Sequence, residues 1–175
     1  MQKEIRFFTK QLPKDKDVIH IWIGKSDLPH DRLISQLIGQ NLDIKALPSG
    51  KPYFFNSSLY FNLSDTEDWI AIAFSWQVPI GIDIETIRPV EGMDQLISDY
   101  FSSKEQAYVK EKDALTRFWK IWNRKEACLK TLGLGLQDNM TRWDCLGDGW
   151  IFVNNVWVQS LSIKNNLSGA IAFST

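Results

Sequence analysis

The sequence predicts a fold that mixes strands and helices, on three observations. Gly81-Ile82-Asp83-Ile84-Glu85 alternates apolar and acidic residues, the pattern of a strand. Residues 113–132 repeat apolar side chains at steps of three and four, the pattern of a helix. The tetrapeptide Ile-Ala-Phe-Ser occurs at Ile72–Ser75 and again at Ile171–Ser174, which leaves open two similar halves or a coincidence in strand-rich sequence.

In chain order, residues 4–8 and 18–23 are rich in β-branched and aromatic types and predict strands, with His20 a plain strand residue. Asp27–Asn41 places Leu33, Ile34, Leu37 and Ile38 on one face, with Pro29 tolerable in the first turn, and predicts an amphipathic helix. Leu47-Pro48-Ser49-Gly50-Lys51-Pro52 is a turn. Leu59–Leu63 predicts a strand closed by a polar loop, Ser64–Asp68, leading into a second strand, Trp69–Trp76. Beyond Arg88-Pro89, Leu96, Ile97, Tyr100 and Phe101 mark a second helix, and Ser102-Ser103-Lys104-Glu105 has the form of a capping box. Short strands over 150–153, 156–162 and 170–173, joined at Asn154-Asn155 and Asn165-Asn166, complete the chain.

Composition narrows the function classes. With 175 residues and 44% hydrophobic content the chain can bury a real core. Its 20 basic and 21 acidic side chains give a net charge of −1 and no electrostatic case for nucleic acid or a membrane surface. Early charges argue against a signal peptide, and no apolar run reaches spanning length, so a cytoplasmic location is expected. Cys128 and Cys145 read as free thiols in a reducing compartment, with one disulfide still open. His20 and His30 lie in no metal or triad spacing, which disfavours zinc hydrolysis and Ser-His-Asp chemistry.

Three acids carry the chemistry. On a strand, Asp83 and Glu85 share one face roughly 7 Å apart, with Ile82 and Ile84 on the other. Ionised side by side they repel, and a hard divalent cation with oxygen ligands, Mg²⁺ above all, answers that repulsion. The plainer reading is the solvated face of an edge strand. The third acid weighs against it: Leu115, Trp119, Trp122, Glu126 and Leu129 follow at steps of four, three, four and three, so Glu126 interrupts a core-facing stripe. A carboxylate there costs several kcal/mol unless paired or metal-bound. Lys130 at i+4 offers a pair, and Lys125, about a quarter-turn away, reads as solvent-facing. Glu105 has the capping box as a structural role.

Together Gly50-Lys51-Pro52, Phe61-Asn62-Leu63-Ser64, Gly81–Glu85 and Trp122–Lys130 resemble the 4'-phosphopantetheinyl transferases of the surfactin-synthetase-activating type, in order and at compatible spacing. With Tyr100-Phe101-Ser102 and Glu105, the resemblance covers roughly residues 30–145. It implies an α+β fold of two pseudo-symmetric halves, 1–78 and 79–175, with the active site between them, and a monomer. It also implies transfer of phosphopantetheine from coenzyme A to a serine of an apo acyl or peptidyl carrier protein. Asp83, Glu85 and Glu126 would hold Mg²⁺ with the pyrophosphate. Lys130 would stabilise the leaving phosphate, and Glu126 or Glu105 would take the serine proton. Lys51 and Pro52, Ser64 and Asp65, and Lys125 and Lys130 fall at coenzyme A-binding positions.

The chain departs from the family pattern in three places. Ser64-Asp65-Thr66 stands where the family has Ser-His-Ser or Ser-His-Thr, and an aspartate there repels the 3'-phosphate that a histidine would bind. A smaller preference for coenzyme A over its dephospho form is therefore expected. Asn123 stands where serine or threonine is commoner. Basic residues near the N-terminus have no counterpart beyond Arg32, in a chain shorter than typical members. Asp65 and the reduced N-terminal region motivate an alternative, a degenerate relative that binds a carrier protein or nucleotide without turnover. A nuclease reading of Asp83-Ile84-Glu85 is disfavoured by the balanced charge.

Overall fold

The computed structural model describes residues 3–135, 140–164 and 166–174. A four-stranded sheet is formed by β1 (Ile5–Phe7), β2 (Ile19–Gly24), β5 (Tyr60–Thr66) and β6 (Trp69–Ser75), in the order β1-β2-β6-β5. A second contains β7 (Ile80–Thr86), β8 (Ile151–Val153), β9 (Val156–Ser160) and β10 (Leu167–Ser174), in the order β7-β10-β9-β8. The hairpin β3 (Ile44–Ala46) and β4 (Pro52–Phe54) stands apart. The repeated tetrapeptide thus occupies an inner strand of each sheet, β6 in one and β10 in the other.

Each helix follows its local chemistry. Helix α1 (His30–Ile38) buries Leu33, Ile34 and Leu37 and stops at Gly39, whose φ of 73° suits a residue without a Cβ. Helix α2 (Met93–Tyr100) precedes α3 (Ser103–Glu111), which opens with the expected capping box: Ser102 Oγ accepts from the Glu105 amide at 3.2 Å, and Glu105 accepts from the Ser102 amide at 2.7 Å. Helix α4 (Ala114–Leu132) ends at Gly133, φ 68°. It lies on β7, β9 and β10. Gly81 permits that approach, because a Cβ there would meet the Ala127 carbonyl oxygen at 2.2 Å.

Two expectations change. Residues 64–66 form the end of β5 instead of a solvated loop, and the turn is confined to Glu67 and Asp68. Ser64 and Thr66 are buried because their hydroxyls take up backbone donors of β7. Helix α4 is also buried more widely than its apolar stripe suggests. Phe118, Ile121, Arg124, Lys125 and Cys128 are all enclosed, while Trp122 and Glu126 are partly open. Asn154 and Asn155 adopt left-handed turn conformations between β8 and β9 (φ 48° and 63°), as does Asn166 (φ 58°) before β10; Asn165 lies outside the described residues.

Candidate active site

The two sheets meet along β5 and β7, and side chains make the joint. Strand β7 pairs with β10 on one edge. On its other edge, the amides of Ile82, Ile84 and Thr86 donate to Asn62 Oδ1 (2.9 Å), Ser64 Oγ (3.2 Å) and Thr66 Oγ1 (3.2 Å). Alternate residues of β5 share one face, so Asn62, Ser64 and Thr66 act as one row. An exposed sheet edge is thereby satisfied without another strand.

Two of these groups also fix the acids. Ser64 donates to Asp83 Oδ1 at 3.1 Å, and Thr66 donates to Glu85 Oε2 at 3.0 Å. Helix α4 supplies the rest: Lys130 Nζ lies 2.8 Å from Asp83 Oδ1 and 3.0 Å from Ser64 Oγ, and Asn123 donates to Asp83 Oδ2 at 2.7 Å. Asp83 is 4% exposed, so the solvated-face reading of this strand does not hold. Burial and the neighbouring Asp83 raise the Glu85 carboxyl, against the lowering effects of Thr66, Arg88 and Lys130. Glu126, on α4, feels the charge of both acids. Burial, then repulsion from Asp83 and Glu85, pushes its carboxyl up to about 7, with Lys130 opposing.

The remaining expected residues lie in three other places. Lys125 is fully buried, not solvent-facing: its ammonium donates to Glu105 Oε2 (2.9 Å) and to the carbonyls of Met140 (2.8 Å) and Trp143 (2.6 Å). An ammonium has three donors, so none is left for a phosphate here. Glu105 is equally enclosed, with Oε1 accepting from the Cys145 amide at 2.7 Å and Oε2 from Ser102 and Lys125. Neither side chain reaches the acid cluster, and the pair holds α3, α4 and residues 140–145 together.

Lys51 donates to the carbonyls of Ile80 and Thr131, both at 3.0 Å, and burial lowers its amine to about 8. With Pro52, Leu47, Phe54 and Phe61 it lines an apolar cavity of about 310 Å³ at the C-terminal end of α4. Asp65 is exposed, on the opposite face of β5 from Ser64. It borders a cavity of about 520 Å³ with Lys25, Asp27, His30, Glu67 and Asp68, and Lys25 is already paired with Asp68 at 2.9 Å. Thr66 and Asn123 are the site residues that sequence reasoning missed. The alternation Asn62, Ser64, Thr66 parallel to Asp83, Glu85 is the signal that could have found Thr66.

Carboxylates and a lysine at a joint between two sheets have the donor set of a site for phosphate groups and a hard cation. The sequence model of the 4'-phosphopantetheinyl transferase superfamily matches residues 79–165, the segment that carries Asp83, Glu85, Glu126 and Lys130. Curated relatives agree. The chain is 41% identical over 88 residues to the 4'-phosphopantetheinyl transferase AcpT of Salmonella typhimurium, covering 48% of this chain and 46% of the relative. It is 37% identical over 139 residues to AcpT of Escherichia coli K12, covering 72% and 63%. It is 38% identical over 80 residues to the 4'-phosphopantetheinyl transferase Sfp of Bacillus subtilis, covering 44% and 34%. The segment 79–165 belongs to the 4'-phosphopantetheinyl transferase superfamily. The chain's matched segments span about half to two thirds of the AcpT relatives' length.

Proposed function

We propose that this chain transfers the 4'-phosphopantetheine group of coenzyme A to a serine hydroxyl of an apo acyl or peptidyl carrier protein, with Mg²⁺ held by Asp83, Glu85 and Glu126. The observation that carries the reading is the contact of Lys130 with Asp83 beside Glu85 at the β5–β7 joint, inside the segment that matches the family. We read the chain as a cytosolic monomer of two half-domains, 1–78 and 79–175. The free thiols of Cys128 and Cys145 suit a reducing compartment, and among the described residues no helix is long and apolar enough to cross a membrane.

The residues fit the cation in charge and donor type. Asp83, paired with Lys130, and its neighbours Glu85 and Glu126 offer carboxylate oxygens, which are what Mg²⁺ takes. Among the described residues no three such side chains are drawn together as a finished metal-holding group. Asp83 is instead occupied by Lys130, Ser64 and Asn123. Bound Mg²⁺ would neutralise the pyrophosphate of the donor.

The chain's own residues account for the rest of the chemistry. The serine oxygen bonds to the phosphorus that carries pantetheine, and the pyrophosphate bond breaks to release adenosine 3',5'-bisphosphate. Lys130, already reaching two oxygens at the joint, would stabilise charge on the leaving phosphate. Glu126 would accept the serine proton. Glu105 is left out of that role because both its oxygens are engaged.

The test is the intact mass of an apo carrier protein after incubation with this chain, Mg²⁺ and either coenzyme A or dephospho-coenzyme A. The expected result is a gain of one phosphopantetheine from both donors, lost in Glu126→Ala. A strong preference for coenzyme A, undiminished by Asp65→Ala, would overturn the role given to Asp65. No gain from either donor with several carrier proteins would favour a binding protein without turnover.

A further inference from the structure

We infer that Thr66 is a positioning residue for the acid centre, setting the direction of the Glu85 carboxylate through its hydroxyl. The inference rests on the metal-site reading above and adds a residue to it. The Thr66 hydroxyl has one proton to give and lone pairs to accept, and both uses are taken. It accepts from the Thr86 amide at 3.2 Å and donates to Glu85 Oε2 at 3.0 Å. Accepting from the backbone leaves its proton directed at the carboxylate. The side chain is 6% exposed, and Thr66 pairs with Trp69 across the turn, so the hydroxyl is held by β5 itself.

Glu85 needs such a guide more than Asp83 does. Asp83 is held by Ser64, Asn123 and Lys130 together. Glu85 has Thr66 as its one hydrogen-bond partner among the described residues, while Arg88 turns to Glu67 at 3.8 Å. It also stands partly open at the end of β7, where its longer side chain has more rotamers to choose from. Outer hydrogen bonds of this kind typically set metal affinity by about tenfold or more.

Binding of Mn²⁺, followed by the electron paramagnetic resonance signal of the free ion in the absence of coenzyme A, tests this without relying on turnover. Wild type, Thr66→Val, Thr66→Ser and Glu126→Ala are compared, each first checked for a cooperative thermal transition. Thr66→Val is expected to weaken Mn²⁺ binding by about tenfold. Thr66→Ser, which keeps the hydroxyl and loses only the methyl, is expected to restore most of it. Equal Mn²⁺ binding by wild type and Thr66→Val, with loss in Glu126→Ala, overturns the positioning role while leaving the metal site standing. A serine variant as weak as valine also overturns it, because the methyl and not the hydroxyl would then matter. No Mn²⁺ binding by wild type overturns the metal-site reading and this role with it.

Discussion

Glu126 sits in the interrupted stripe of α4, and its environment makes its charge expensive. Its carboxyl is raised from 4.5 to about 7, so the folded state holds a proton that the unfolded chain releases near 4.5. Stability from this group is therefore greatest below about 4.5, falls as pH rises, and is fully lost above about 7. Removing the charge reverses the loss. Glu126→Gln is expected to match wild type near pH 4 and to exceed it at pH 8 by up to about 3 kcal/mol, measured by urea unfolding without metal. A variant no more stable at pH 8 than at pH 4, relative to wild type, would contradict the electrostatics. The position of Glu126 was legible from spacing alone. That Asp83 and Glu85 are the neighbours raising its carboxyl was legible through the family resemblance and not through periodicity.

At the scale of elements, α4 was the most readable part of the chain and also the place where reading by periodicity misled. Its bounds follow from its apolar steps and from Gly133. Lys125 was misjudged because a helical wheel shows one buried face, whereas α4 is packed by the second sheet on one side and by α3 and residues 140–145 on another. A lysine can occupy the core there since its ammonium meets one carboxylate and two carbonyls. Lys125→Met keeps the volume but strips Glu105 of its counter-charge. It is expected to cost about 3–5 kcal/mol, read from the denaturation midpoint, because a buried partner is left unpaired. A cost below about 1 kcal/mol would mean that the amides of Ser102 and Cys145 satisfy Glu105 without help. The capping box, by contrast, was fully legible, since both of its bonds lie within four residues.

At the scale of the whole molecule, two sheets are joined by a row of three polar side chains in place of strand pairing. Asn62 is the member of that row with no acid to hold, so it isolates the joint from the chemistry. Asn62→Ala leaves the Ile82 amide without its acceptor and is expected to lower stability by about 1–3 kcal/mol. Hydrogen exchange at Ile82 should quicken while exchange in the β2–β6 pairing changes little, and uniform quickening throughout would show that the joint has no local stability of its own. By itself the sequence determined what depends on neighbours along the chain: strand alternation, helix period, caps, turns, and the acids and lysine that stand in the family's order. Tertiary structure decided what depends on residues distant in sequence: that Ser64 and Thr66 extend a strand, that Lys125 and Glu105 neutralise each other in the core, and that Asp65 faces away from the acids. The physical reason is that a side chain's burial and charge are set by the surface packed against it, and here that surface comes from segments between 15 and 66 residues away.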